Sequence, residues 1–285
     1  MVFIFNCINL KNLMRKIIGI VSNYNRGGRY MDILKYNSNA WDNEVKKGNK
    51  WTMPVSSEDV DKARNGEYKL LLTPTKLVPK EWIGNIKDKK VLCLACGGGQ
   101  QGPIFSALGS NVTVFDNSKE QLLKDELVSK RDNLKIDLEQ GDMRDLSRFE
   151  DESFDFIFHP VSNTFIDNIE KTWKECYRVL KKGGVLIAGF TNPIVYIFDL
   201  CEWEKGNLAV ANTIPYSDIK QLPKEKLEEF IKNKEPLEFG HTLYSQIGGQ
   251  IEAGFVIGGF YEDKIEDDIL GKYIDTYIAT KAIKL

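Results

Sequence analysis

From Lys90 onward the chain alternates between short apolar runs and longer amphipathic stretches. "KVLCLA" (90–95) is apolar after its first residue and is soon followed by three glycines. Runs this short, rich in Val and Leu and bounded by glycine, predict buried strands. "NVTVFD", "LKIDLEQGD", "FDFIFH" and "GGVLIAGF" continue the series to residue 190. Helix candidates lie between them. These are "GPIFSALG", closed by Gly109, "SKEQLLKDELVSKR", with Leu122, Leu123, Leu127 and Val128 on one face, and "DNIEKTWKECYRVLKK". Strands alternating with helices predict a parallel sheet covered on both faces. After an interruption at 191–240 come "HTLYSQIGGQIEAG" as a helix, then "FVIGGFYE" and "YIDTYIATKAIK" as strands. Those last two, joined by "DKIEDDILGK", predict an antiparallel pair at one sheet edge.

Three flanking regions stand outside this rhythm. Residues 31–87 are too few for an independent domain and are expected to cap the sheet domain, 88–285. Ser56 followed three residues later by Asp59 marks a helix start there, and Gly66 its end. Trp41, Trp51 and Trp82 fall in this cap, and Trp41 and Trp51 are candidates to line a small-molecule pocket. The insertion 191–240 is polar and punctuated by prolines, with one helix candidate, "KEKLEEFIKN". Residues 1–30 hold five basic residues and no acid, and are kept apart from the fold. "RGGRY" precedes Met31, and its Arg-Gly-Gly can be encoded by a ribosome-binding sequence, so a start at Met31 is expected. A targeting presequence is the alternative.

Composition narrows the classes of function. The 285 residues are 42% hydrophobic and 28% charged, with a formal net charge of −2. No basic patch invites nucleic acid. No run approaches the ~18 apolar residues of a membrane span. The five cysteines, Cys7, Cys93, Cys96, Cys176 and Cys201, are odd in number and irregular in spacing, which argues against a disulfide framework. Cys93 and Cys96 lie in or just after a strand. At ~3.3 Å per residue they are expected ~10 Å apart on opposite sides, as packed thiols in a reducing cytoplasm.

Candidate chemistry begins at Gly97-x-Gly99-x-x-Gly102, between the first strand and its helix. Glycine lets a ligand approach the backbone closely, and a helix N-terminus offers free N–H groups. Asp116 ends the next strand, 19 residues after Gly97, where a carboxylate can accept from both ribose hydroxyls of an adenosine. To this point NAD and S-adenosylmethionine fit equally well. Further on, Gly141, Asp142 and Met143 end the third strand. An acid there can accept from adenine's exocyclic amine, with an apolar neighbour against the ring.

With "FDFIFHPVSN" and "CYRVLKKGGVLIAGF" following in order, the chain resembles the class I S-adenosylmethionine-dependent methyltransferases of the small-molecule type. The resemblance covers residues 88–190 and returns at 241–257. It implies a Rossmann-like, doubly wound, mostly parallel seven-stranded sheet with an antiparallel edge strand. It implies that Ala95, Cys96, Gly97, Gly98 and Gly99 lie against the methionine part of the cofactor. Asp116, with Asn117 beside it, would hold the ribose. Gly141, Asp142 and Met143 would frame the adenine, and His159 would sit near the sulfonium. The family usually has an acid where Cys93 stands and a glycine where Ala95 stands.

Methyl transfer asks chiefly for alignment and exclusion of water, and for a base when the nucleophile carries a proton. His159 and His241 are the chain's two histidines, and the resemblance puts both near the mouth of the site. Either is a candidate base. The alternative is that His159 packs beside the cofactor and His241 caps the helix that follows it. Asn163 is a candidate substrate contact or a cap for its loop. Only Pro160 of "HPVSN" matches the Asn-Pro-Pro-Tyr element of methyltransferases acting on planar amino groups, so no amine specificity is read from it. The Asp/His cluster of a metal-assisted enzyme is not found, and no metal is expected. The expectation is a cytoplasmic methyltransferase with a small-molecule acceptor. A nicotinamide-dependent oxidoreductase, whose glycine turn normally lies nearer the domain start, and a non-catalytic S-adenosylmethionine-binding protein are the alternatives.

Overall fold

A computed structural model describes residues 31–285, and the reading of 1–30 as a leader lies outside the described residues. The chain enters through α1 (Ile33–Lys47) and α2 (Ser57–Arg64). The predicted helix start at Ser56 forms a complete capping box. Ser56 Oγ accepts from Asp59 N–H and Asp59 Oδ2 from Ser56 N–H, both at 3.1 Å, which satisfies two otherwise orphaned donors.

The alternating region then builds β1 (Lys90–Leu94), α3 (Gln101–Ala107), β2 (Asn111–Asp116), α4 (Lys119–Arg131), β3 (Ile136–Gln140), β4 (Phe154–His159), α5 (Ile169–Val179) and β5 (Leu180–Thr191). The insertion contributes β6 (Tyr216–Ser217), α6 (Lys224–Asn233) and β7 (Phe239–Gly240). Next come α7 (Gly249–Ala253), led by a π-turn over Tyr244–Gly248, then β8 (Phe255–Asp263) and β9 (Tyr277–Lys284).

The main sheet runs β3-β2-β1-β4-β5-β9-β8. β1 to β5 are parallel, and β9 is antiparallel to both β5 and β8. The closing antiparallel pair therefore forms one edge, with β9 on the inside and β8 outermost. The strand order reverses at β1, which pairs with β2 on one side and β4 on the other. Ligands of such sheets bind beyond the carboxyl ends of the strands at that point.

Side chains along β1 alternate between two cores, as a period of two requires. Val91 and Cys93 join Ile104, Phe105, Phe156 and Phe158 on one face. Leu92 and Leu94 join Phe115, Ile157, Trp173 and Leu186 on the other. The first core is completed from before the sheet by Ala63, Leu72, Val78, Trp82 and Ile86. Only Gly fits at 189, because a Cβ there would stand 2.2 Å from the Leu72 carbonyl oxygen. Residues 57–86 thus form part of this core, while α1 covers the carboxyl ends of the strands.

Two boundaries differ from the sequence pattern. The helix expected to run to Lys182 stops at Val179, because Leu180 is drawn into pairing with Phe154 and begins β5. The single helix expected over 241–254 is a π-turn followed by α7. Trp173 presses against this joint. Its Nε1–H donates to Ser245 O at 3.0 Å, and a Cβ on Gly249 would meet its ring at 2.9 Å.

Candidate functional site

At the reversal point a cavity of about 990 Å³ opens, lined from the glycine loop, the ends of β2 and β3, the loop after β4, α1 and the insertion. β1 ends at Leu94, and Ala95 turns the chain with φ 47°, its N–H donating to Phe115 O at 2.7 Å. That turn also corrects the expectation for the two cysteines. Cys96 folds back onto Cys93's face of the sheet, and both belong to one core. Both are free thiols, and burial followed by the neighbouring Cys93 thiol pushes Cys96 well up.

Gly97 N–H donates to Asp116 Oδ2 at 2.9 Å, and Ser118 N–H to Oδ1 at 2.8 Å. A Cβ on Gly97 would stand 3.1 Å from this carboxylate and 2.7 Å from Gln121 Cβ, so only glycine allows the approach. Burial raises Asp116 to about 6, against the pull of these backbone donors. Each of its oxygens keeps accepting capacity beyond one N–H. Beside it on the cavity wall stands Gln121, whose buried Oε1 has no partner. A half-buried carboxylate and an orphaned amide oxygen suit the hydroxyl-rich, amine-bearing S-adenosylmethionine.

The next two N–H groups of the loop are spoken for. Gly98 and Gly99 both donate to Asp125 Oδ2 at 3.0 Å. Asp125 is fully buried in α4 and pushed up to about 8, chiefly by burial. A dinucleotide's pyrophosphate needs those N–H groups, and Asp125 already occupies them. The same contact corrects the expected face of α4. Leu122 and Val128 are buried, but Leu123 and Leu127 are exposed, because the helix turns Gln121 and Asp125 inward to the loop. Ala95, Cys96 and Gly97 line the cavity, whereas Gly98 and Gly99 pack against α4 and residues 51–54.

Asn117, Gly141, Asp142 and Met143 all line the cavity, as does Phe115. Gly141 is needed where it stands, since a Cβ would lie 2.4 Å from the Phe115 ring. Asp142 is clamped by Arg144, whose Nε donates to both carboxylate oxygens at 3.0 and 2.9 Å, and Arg144 also pairs with Asp167. Nothing in the sequence spacing singled out Arg144.

α1 roofs the cavity through polar contacts. Asn37 donates to Phe165 O and Leu237 O and accepts from Leu237 N–H, at 2.8 to 2.9 Å. Ser38 donates to Asn117 O at 2.9 Å, and Asp42 accepts from Ser118 Oγ at 2.7 Å. Trp41 lines the cavity, edge-on to Phe165 at 5.0 Å. Trp51 lines it too, 40% exposed, with Lys50 4.7 Å above its ring.

The histidines and Asn163 are a correction. His159 is fully buried, with Nδ1 against Leu94 O at 2.9 Å and Nε2 against Asn163 Oδ1 at 2.5 Å. His241 Nε2 donates to the carbonyls of Asn163 and Ile166 at 3.0 and 2.9 Å. Asn163 donates in turn to Gln246 Oε1 at 2.8 Å. Burial lowers both histidines, against the pull of these oxygen partners. None of the three lines the cavity. Together they stitch the loop after β4 to β1 and to the π-turn. Pro160, Val161, Ser162 and Thr164 of that loop reach the cavity in their place.

The β5 side of the cavity holds groups that sequence reading missed. Glu238 lines it beside Thr164, Tyr196 and Tyr277. Tyr196 Oη donates to Glu238 Oε2 at 2.8 Å, and its ring stacks on Tyr216 at 5.2 Å. These residues come from four separate segments and carry no motif. Among the described residues no group of three or more His, Cys, Asp and Glu is arranged to hold a metal, and no helix is long and apolar enough to cross a membrane.

Comparison with known proteins adds an independent line. A family model described as a methyltransferase domain matches residues 92–188. An uncharacterized methyltransferase, YbaJ, of Bacillus subtilis is 51% identical over 253 residues, covering 89% of this chain and 99% of that one. An S-adenosylmethionine-dependent methyltransferase structure from Mesorhizobium loti aligns with a TM-score of 0.57 at 15% identity, over 72% of this chain and 95% of that one. The geranyl diphosphate C-methyltransferase of Streptomyces coelicolor, solved with Mg2+, geranyl diphosphate and S-adenosyl-L-homocysteine, aligns at 0.54 and 12% identity over 90% and 99%. The two structural likenesses establish a shared fold.

Proposed function

The chain belongs to the S-adenosylmethionine-dependent methyltransferases, and on that premise we propose that its cavity moves the cofactor's methyl group onto a small-molecule acceptor. One observation carries the reading. The same cavity that holds Gly97, Asp116 and Asp142 continues under α1 to an aromatic wall of Trp41, Phe165, Tyr196 and Tyr277. Cofactor and acceptor can therefore meet in one continuous space.

In this reading Ala95, Cys96 and Gly97 lie along the methionine portion. Asp116 accepts from the ribose hydroxyls, with Asn117 at its side. Met143 and Phe115 flank the adenine, while Asp142 is held at its edge by Arg144. When bound, S-adenosylmethionine supplies a methyl carbon already activated by a positive sulfur. The chain's own task is to align a nucleophile and keep water out, which α1 and the insertion do by closing over the strand ends.

A concave cavity roofed by α1 suits a small acceptor, and a net charge of −2 offers little to a polyanion. The geranyl diphosphate C-methyltransferase of Streptomyces coelicolor, which shares the fold, was solved with a small molecule, geranyl diphosphate. A cytoplasmic site of action accords with the free thiols Cys93, Cys96, Cys176 and Cys201. The test is to supply methyl-labelled S-adenosylmethionine with a low-molecular-mass cell extract and follow S-adenosylhomocysteine. Label appearing in a small molecule, and lost with Asp116→Ala, is the expected result. Label appearing only in macromolecules would refute the acceptor class.

A further inference from the structure

Glu238 stands on the cavity wall where the loops after β4 and β5 meet the insertion. Its Oε2 accepts from Tyr196 Oη at 2.8 Å and from Thr164 Oγ1 at 3.4 Å. Its N–H donates to Asp218 Oδ2 at 2.6 Å. Asp218 Oδ1 accepts from Tyr216 Oη at 2.8 Å, and Tyr216 supports the ring of Tyr196. Asp218 thus holds the main chain at Glu238, and Tyr196 and Thr164 hold its side chain at Oε2, while the residue still lines open space.

The groups that bear on this carboxyl are Asp218, Tyr196 and Thr164, and Tyr277 feels its charge in return. No lysine or arginine is among them. Burial, then the Asp218 charge, raises Glu238 to about 7, and burial raises Asp218 to about 6. Two acids held together without a counter-ion are under-compensated, and a cation entering the cavity supplies what the chain does not. Aromatic rings complete the setting, because Trp41, Phe165, Tyr196 and Tyr277 share the wall, and π-faces attract cations.

We propose that Glu238 receives the ammonium group of an amine acceptor and takes the proton that the nitrogen must lose before it is methylated. The proposal rests on the methyl-transfer reading above. The proton passes to the Glu238 carboxylate, and the N–H bonding pair stays on nitrogen as a lone pair. That lone pair forms the bond to the methyl carbon while the C–S pair remains on sulfur. The products are S-adenosylhomocysteine and a methylated ammonium, and Glu238 afterwards releases its proton to solvent. Tyr196 and Thr164 position the carboxylate.

The experiment titrates the full-length protein with benzylamine and with its uncharged isostere benzyl alcohol, with and without saturating S-adenosylhomocysteine. Benzylamine is expected to bind about tenfold or more tightly than the alcohol, and to weaken as pH falls from 8 to 6 while Glu238 takes up a proton. Glu238→Gln is expected to remove both the preference and the pH dependence, with S-adenosylhomocysteine affinity unchanged. Equal or tighter binding of the alcohol, no binding of benzylamine, or an unaltered preference in the variant overturns the proposal. Should the variant fail to fold, the wild-type preference and its pH dependence decide alone. Failure of the wild type to bind S-adenosylhomocysteine would instead strike the methyl-transfer reading, and leaves the amine comparison readable.

Discussion

The two ends of the cavity are built by different means. The cofactor end is made of strand ends and backbone. Gly97, Asp116 and Gly141 each take their place because a strand stops there, and neighbouring strands set their spacing. The acceptor end is made of side chains from distant segments. Trp41, Thr164, Tyr196, Glu238 and Tyr277 meet only once α1 and the insertion have folded over the sheet. The difference teaches that the invariant part of the chemistry is tied to the sheet, while the part that selects an acceptor hangs on elements added around it.

The largest expected effect breaks the cofactor end alone. Asp116→Ala removes a carboxylate that would accept two ribose hydroxyls, and charge-assisted bonds contribute about 1.5 kcal/mol or more each. S-adenosylhomocysteine affinity should fall about 100-fold by titration calorimetry. In the wild type the affinity should also decline below pH 6, as Asp116, raised to about 6, takes up its proton. The variant should show no such decline.

Next in size is a cut at the roof. Asn37→Ala removes the buried amide that joins α1 to Phe165 and Leu237, leaving their backbone groups unpaired at a cost of about 2 kcal/mol. Hydrogen exchange should quicken in α1 and residues 230–240 but not in β1, β4 or β5. Equal loss of protection in the strands would show that the two ends are one cooperative unit.

Legibility in the sequence follows the same division. The alternation of strands and helices, the antiparallel edge pair, the capping box at Ser56, the glycine loop and the place of Asp116 at a strand end were readable, because each is fixed by a local period or a short spacing. The α4 face was misread because an apolar count cannot foresee that Asp125 will be buried to cap Gly98 and Gly99. The histidines were left open between a base and a packing role for a related reason. A residue type that suits a base is equally suited to bridging backbone carbonyls, and only burial separates the two. Glu238 was invisible because its partners lie 20 to 74 positions away.

Asp125 offers a smaller, pH-dependent test. Its folded value near 8 lies above the ordinary ~3.9 of an aspartate, so the folded state holds this proton more tightly. Stability is therefore fully present below about pH 4 and is lost as pH rises through 8. Asp125→Asn keeps an acceptor for Gly98 and Gly99 and lacks the titration. Urea midpoints of wild type and variant should converge at acid pH, with the variant ahead at alkaline pH, where Asp125 is charged. Parallel curves would place the charge of Asp125 elsewhere.

The smallest effect concerns Ala95, which holds φ 47° where L side chains are strained. Ala95→Gly should relieve that strain against a greater loss of chain entropy, for a net gain of about 0.5 kcal/mol in denaturant titration. S-adenosylhomocysteine affinity should not change.

The central claim is that the glycine loop serves S-adenosylmethionine because Asp125 has already taken the N–H groups a pyrophosphate would need. The most direct measurement is calorimetric titration of the protein with S-adenosylhomocysteine and, separately, with NADH. Micromolar binding of the first and none of the second is the expected result, whereas binding of NADH alone would contradict the account.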